Sequence, residues 1–478
     1  MARYPHFIGG NYQAQTWQAD AEWTMNLYPE RMESKGAKSE MILCPTPGVR
    51  RWTTTPTPQV GSKCKFTNYD GRMFGVTGAR FYEYFADGSF IERGTVAQDA
   101  NPAYIISNGK AGRQLCISAG GNVYSYDLAT DTLTLELSTG YTHIGVAYGY
   151  FLALNASIGR VRISDLNDGT VWDPLQFFER SIGADPFVSM IVTTWGYIYL
   201  FGFQSGEVWY NANNFPIPFA PHLSGLDFPG IAANFSAVQV NQAVAWISTN
   251  KDGGYQVLAT KAFRPEEISD KSEEYAYSLM ANLSDAVGQT YRSRGHTFLI
   301  FTFFVDKQTR SYDFASGAWH QRGTWDSNNN VYTAWRPVYH CFAFGKHLMG
   351  DYLTGYVYEM NDAYTSDVND MVIRRVRRAP AVASENRRIT FGKFELFLNA
   401  GNGDLVTTSP QVMMRASNDG GQTWGNERRC GSGPLGQYSK RVFWLMNGQA
   451  RNRVFEIVMT DPVQWFVVDA YLDYKVAA

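Results

Sequence analysis

Two groups of residues have the types and spacing to do chemistry. The octapeptide Ser417-Asn418-Asp419-Gly420-Gly421-Gln422-Thr423-Trp424 sets a carboxylate in a glycine turn beside a tryptophan. The run Ile373-Arg374-Arg375-Val376-Arg377-Arg378, with Arg387-Arg388 close behind, gathers guanidinium groups that suit carboxylates or phosphates. A site for acidic glycans is the enzymatic reading of the first group. Such a site needs three arginines on the substrate carboxylate and a Tyr nucleophile paired with a Glu. With 29 Tyr and 42 Lys plus Arg in the chain, no such set stands out.

The octapeptide fits S-x-D-x-G-x-T-W and resembles the Asp-box of sialidases and other β-propellers. Its physics is that of a turn: Asp419 accepts backbone N–H groups, Gly420 and Gly421 supply positive φ, and Trp424 packs the turn onto a sheet. Ser417, Asp419, Gly421, Thr423 and Trp424 are therefore expected to brace a hairpin. A single copy argues for a turn before an active site. In the arginine run, alternation leaves charge on both faces of any strand, which is costly to bury unless acids face it. Arg374, Arg375, Arg377 and Arg378 are expected in a solvated linker, at a subunit interface, or facing nucleic-acid phosphates in a channel.

Other chemistry finds little support. His6, His143, His222, His296, His320, His340 and His347 are scattered, and the spacing of His340 and His347 does not match a helical metal pair. Asp165-Leu166-Asn167-Asp168-Gly169 lacks the full calcium-loop pattern and reads as a turn. No P-loop, G-x-S-x-G or dinucleotide fingerprint occurs in a strand–helix setting. The expectation is a protein with no catalytic residues, cofactor or metal.

The elements that must position these groups are strands. The chain has 478 residues, 45% apolar and 18% charged, with 15% aromatics and 44 Gly. That composition favours folded β-sheet with many turns. A net charge of −2 argues against a dedicated nucleic-acid binder. Cys44, Cys64, Cys116, Cys341 and Cys430 are odd in number and widely spaced, as expected of free thiols. The longest strongly apolar run, Phe298 to Val305, is too short to span a bilayer, and no signal peptide is read at the N-terminus, so a soluble chain without a membrane anchor is expected.

One pattern recurs: alternating aromatic and β-branched residues ending in a polar turn. Copies lie at Arg80–Tyr84, Asn122–Asp127, Arg160–Asp165, Glu207–Asn211, Tyr255–Leu258, Arg310–Asp313 and Tyr356–Asn361. Their anchors are 42, 38, 46, 48, 54 and 48 residues apart, close to one four-stranded propeller blade. The fold expected is all-β: a β-propeller-like domain over 59–372 with six or seven degenerate blades, and a C-terminal β-sandwich-like domain over 373–478. Residues 1–58 read as an N-terminal arm ending in a linker at Thr53–Pro58. A helix is expected from Pro265 to about Leu283, with Glu266 and Glu267 at its positive end.

The C-terminal stretch Ser417-x-Asp419-Gly420, Lys440-Arg441-Val442-x-Trp444, Gly448, Arg451, Phe455 and Thr460-x-Pro462-Val463 resembles the tail accessory factor of short-tailed phages, also called the packaged-DNA stabilisation protein or tail nozzle. Asn26-Leu27-Tyr28-Pro29-Glu30 leading to Pro45-Thr46-Pro47-Gly48 resembles the opening of that family. The resemblance implies a structural virion protein, not an enzyme. It implies a homo-hexameric ring below the portal and its adaptor, assembled in the host cytoplasm. That ring would extend the DNA channel, retain the genome without reading its sequence, and dock a needle or plug and tailspikes or fibres. A sialidase-like glycan hydrolase and a non-catalytic propeller scaffold are the alternatives.

Overall fold

The computed structural model describes residues 1–58, 61–67, 70–181, 185–250, 252–261, 263–403 and 406–476. Short strands joined by tight turns build seven four-stranded antiparallel units among these residues. Six of them occupy 62–95, 104–137, 141–178, 189–229, 238–267 and 287–322. The seventh uses Pro337–Ala343, Lys346–Asp351 and Val357–Asn361, and takes its outer strand, Gly48–Arg51, from the N-terminal segment. All seven repeat motifs fall on the third strand of a unit.

The units are blades of a β-propeller. First strands face one another, as Pro337–Ala343 does against Ser62–Thr67 and Tyr141–Ala147 against Ser189–Val192. The apolar clusters of the propeller lie between neighbouring blades. Phe74 and Phe81 of blade one meet Leu115, Ile117 and Tyr126 of blade two, and Met73, Tyr82 and Tyr84 meet Leu348 and Val357 of blade seven. A blade so sandwiched is buried on both faces, which is why Phe81 to Tyr84 are all buried instead of alternating.

The N-terminal residues depart from the expected arm and linker. Leu27, Tyr28, Leu43 and Val49 are almost fully buried, and the strands that carry them belong to the two domains. Thr53 accepts the Val357 N–H at its Oγ1, and Thr57 donates to the Gly355 carbonyl, so the Thr53–Pro58 stretch runs along blade seven. The helix also differs. Pro265 sits in the outer strand Arg264–Glu267 of blade five, where a missing N–H costs no ladder bond. The helix is Lys271–Ser278, capped by Asp270, whose side chain accepts the Glu273 N–H.

The C-terminal domain is a two-layer sandwich. One layer orders Leu27–Arg31, Met41–Pro45, Val467–Val476, Ile389–Leu398 and Val442–Ala450. The other orders Arg375–Arg378, Asn452–Met459, Gln411–Ser417 and Arg428–Gly431. Phe394 stacks on Phe455 at 5.0 Å and on Trp444 at 5.6 Å between them. This second layer does not stop at the domain edge. Arg375–Arg378 pairs with Ala21–Met25, which bridges in turn to Ala318–Arg322 of blade six, so one sheet runs from propeller to sandwich. No helix among the described residues is long and apolar enough to cross a membrane.

Candidate functional site

The arginine run and the octapeptide, 39 residues apart at their nearest ends in sequence, meet at this seam. Arg375, Arg377 and Arg378 lie on the central strand of the shared sheet and are buried, so the expectation that they face DNA or a neighbouring subunit is corrected. The interface they serve is internal. The acids that make their burial tolerable come from strands distant in sequence.

Arg377 has no exposed surface and spends all five N–H donors. Its Nε donates to the Phe7 carbonyl at 2.6 Å, and Nη1 donates to the Gly10 carbonyl and Thr24 Oγ1. Its Nη2 donates to the His6 carbonyl and to Glu22 Oε2, both at 3.0 Å. The planar fork thus ties residues 6–10 and the Ala21–Met25 strand to the sandwich, a pattern lysine cannot reproduce.

Arg378 donates through Nε to Glu456 Oε2 at 3.0 Å, and Arg415 donates through Nε to Glu456 Oε1 at 2.7 Å. Glu456 is fully buried, so two guanidinium groups hold one carboxylate out of water. Burial pulls the Arg378 pKa down, and Glu456 opposes that pull. Trp23 and Trp424 stand 5.1 and 4.9 Å from the Arg378 guanidinium, and Trp424 also covers Arg415 at 4.6 Å. Trp424 belongs to the octapeptide. Its turn is built as expected: Ser417 Oγ donates to Asp419, and Asp419 accepts the Thr423 N–H at 2.9 Å. Those bonds hold the Asp419 carboxyl well below its usual range, which marks it as a fixed turn acceptor.

The remaining two arginines differ. Arg374 is half-buried over Trp325 at 4.7 Å, and its carbonyl accepts from Asn26 and Tyr332. Arg375 is fully buried. Its Nη1 reaches the Ile373 carbonyl at 3.5 Å, while Nε and Nη2 find no acceptor. Burial lowers its pKa to about 10, opposed by the nearby Asp367, whose own pKa burial raises to about 6. Beside the seam a cavity of about 420 Å³ opens between Trp17, Trp23, Leu279, Arg310 and Arg378.

Sequence reasoning missed Glu456, Glu22 and the two N-terminal tryptophans. A signal existed for Glu456: it is the one acid inside Val454-Phe455-Glu456-Ile457-Val458, which marks a buried partner for a cation. Nothing in the residues around Glu22 or Trp17 announced a partner more than 350 positions away.

The histidines form contacts that the sequence did not foretell. His340 and His347 meet across a hairpin at 2.9 Å, and burial depresses the His340 pKa to about 3. His143 stacks on Phe235 at 4.9 Å, with its pKa lowered by burial to about 4. Both rings are neutral packing units. No group of three or more His, Cys, Asp or Glu among the described residues is placed to hold a metal. Cys44, Cys116 and Cys430 are free thiols, and the Cys64 side chain lies outside the described residues.

The site is therefore a structural weld between a propeller and a sandwich. Comparison with curated proteins returns no match. Among solved structures, the extracellular domain of the BT4673 system of B. thetaiotaomicron is similar at 12% identity and a TM-score of 0.44, over 75% of this chain and 45% of that one. A chain of the mitotic checkpoint complex is similar at 12% identity and a TM-score of 0.42, over 69% of this chain and 96% of that one. PorZ of Porphyromonas gingivalis is similar at 10% identity and a TM-score of 0.37, over 72% of this chain and 45% of that one. This chain spans less than half the length of the first and third of these. Family models give a fuller match: the β-propeller of bacteriophage P22 Gp10 over residues 6–365, and its C-terminal β-sandwich over 374–474. With both halves of the fold matched in order, the chain belongs to the bacteriophage P22 Gp10 family of structural, DNA-stabilising phage tail proteins.

Proposed function

We propose that the protein is a wall segment of a tail nozzle. Six copies form a ring below the portal and its adaptor, extend the DNA channel, and retain the packaged genome. The ring also docks a central needle or plug and the tailspikes or fibres. It assembles in the host cytoplasm, works without catalysis, and passes DNA without reading its sequence. The observation that carries this reading is the family match across residues 6–365 and 374–474.

The weld supports it. A wall segment under pressure must not hinge between its domains, and a sheet continuous across the boundary resists hinging better than a flexible linker. The test is reconstitution with the connector. Native mass spectrometry of the chain mixed with a portal–adaptor ring is expected to give a complex with six added copies. A chain that stays monomeric and ignores the connector would falsify the reading. A fluorogenic sialoside and polysaccharide panel is expected to show no turnover.

A further inference from the structure

The two domains carry opposite charge. Residues 373–478 hold fifteen Lys and Arg against nine Asp and Glu, a net +6, which leaves −8 on residues 1–372. Each part also sets charged residues next to exposed apolar side chains at one place.

On the sandwich this place is the edge strand Val442–Ala450, which pairs with Ile389–Leu398 on one side and, among the described residues, with no strand on the other. Phe443, Leu445 and Met446 are exposed on it, Met446 at 88%. Leu435 and Tyr438 stand exposed in the loop that leads into it. Arg428, Arg429 and Lys440 flank the patch, and Arg428 donates to the Leu445 carbonyl at 2.6 Å. An open strand edge with aromatic and aliphatic side chains is a surface that proteins cover.

On the propeller the counterpart is the connection between the third and fourth strands of blade three. Leu166, Val171 and Leu175 are exposed there, Leu175 at 79%. Asp165 and Asp173 are exposed beside them, and no Lys or Arg occurs from Ile163 to Glu179. Asp168 accepts the Thr170 N–H and Asp173 the Leu175 N–H, so this loop holds a defined shape before it meets anything.

We infer that the acidic, leucine-bearing loop of blade three in one copy docks on the basic sandwich edge of the next copy. The inference rests on the ring reading and names its contact. Like charges keep two sandwich edges, or two blade-three loops, from meeting. The contact is therefore head-to-tail, and a heterologous contact of this kind builds rings when its rotation closes. Leu175 and Leu166 cover Phe443, Leu445 and Tyr438, while Asp165 and Asp173 meet Arg429 and Lys440.

Charge reversal with rescue tests it, read as the concentration at which rings form in native mass spectrometry and sedimentation. Asp165→Lys with Asp173→Lys, and separately Arg429→Glu with Lys440→Glu, are each expected to raise that concentration about tenfold or more, with unchanged circular dichroism. Mixing the two variants in equal amounts restores alternate matching contacts and is expected to recover much of the loss. Leu175→Ser gives a second, charge-neutral readout with the same direction. Rings that form at the wild-type concentration in both charge variants and in Leu175→Ser overturn this contact and leave the ring reading standing. A wild-type chain that forms no ring, alone or with the connector, overturns both.

Discussion

The propeller and the seam solve the same problem, covering apolar strands, by opposite routes. Within a blade each strand pairs with the one next in sequence; among the described residues blade seven takes its outer strand from the N-terminal segment, and blade six shares its last strand with Ala21–Met25. The pairings that join the two domains at the seam are distant: Trp23 aligns with Arg378, Arg378 with Glu456, and Glu22 meets Arg377 across 355 residues. Charge follows the same division in part. Glu83 in blade one is held by Arg72 and Arg93, both partly open to solvent, whereas Glu456 at the seam is held by the partly open Arg415 and by Arg378, which is itself buried. Local repetition gives the propeller its form, and long-range charge pairing fixes how the sandwich joins it.

The largest test of that contrast removes the weld. Deleting residues 1–25 takes away the Ala21–Met25 strand and the carbonyls that satisfy Arg377. Calorimetry is expected to show the single transition of the full chain split into two, or the sandwich lost. One transition at an unchanged Tm would show that the domains need no weld.

Next comes Glu456→Gln. It leaves the buried Arg378 charge without its counter-ion, and a broken buried pair costs about 3–5 kcal/mol. Chemical denaturation should show a smaller loss for Glu83→Gln, because both of its arginines, Arg72 and Arg93, reach water while Arg378 beside Glu456 is buried. Equal losses in the two variants would erase the distinction between the regions.

The propeller has its own sensitivity, to acid. Burial depresses the folded-state pKa of His143 to about 4 from 6.5, so the unfolded chain takes up the proton first. Unfolding free energy therefore falls as pH drops from 6.5 towards 4, by on the order of 3 kcal/mol from this residue. His143→Gln should flatten that part of the pH profile measured by denaturation. A profile identical to wild type would show that His143 is protonated in the fold.

Asp419→Ala is the smallest. Asp419 bonds Ser417 and Thr423 within the turn, whereas Trp424 is the residue that packs on Arg378 and Arg415. A slight drop in Tm is expected, with unchanged oligomer formation. A collapse comparable to Glu456→Gln would move the octapeptide from brace to keystone.

The same contrast explains what could be read from the residues alone. Blades were legible because their pattern is local: aromatic alternation, a polar turn, and a period near one blade, as at Arg80–Tyr84 and Asn122–Asp127. The turn chemistry of Ser417 to Trp424 was legible for the same reason. The N-terminal strands were misread as an arm because Met25 and Val49 pair with Val376 and Met360, more than 300 residues away. The arginines were placed at an interface of the wrong kind, since four cations in six residues look solvent-bound until Glu456 and Glu22 are brought alongside. Pro265 suggested a helix start, but Asp270 caps the helix and proline serves as the closing edge of blade five.

The borrowed strands have a consequence in time. Gly48–Arg51 and Ala21–Met25 leave the ribosome early, yet their partners Val357–Asn361 and Arg375–Arg378 emerge more than 300 residues later. At about 5–20 residues per second, the 355-residue gap between Glu22 and Arg377 is a wait of roughly 20–70 s. During that wait the earliest strands lack their distant partners, and a neighbouring nascent chain from the same message carries the identical unfilled edge. Synthesis, more than final stability, is the stage at which this protein is most exposed to pairing with the wrong molecule.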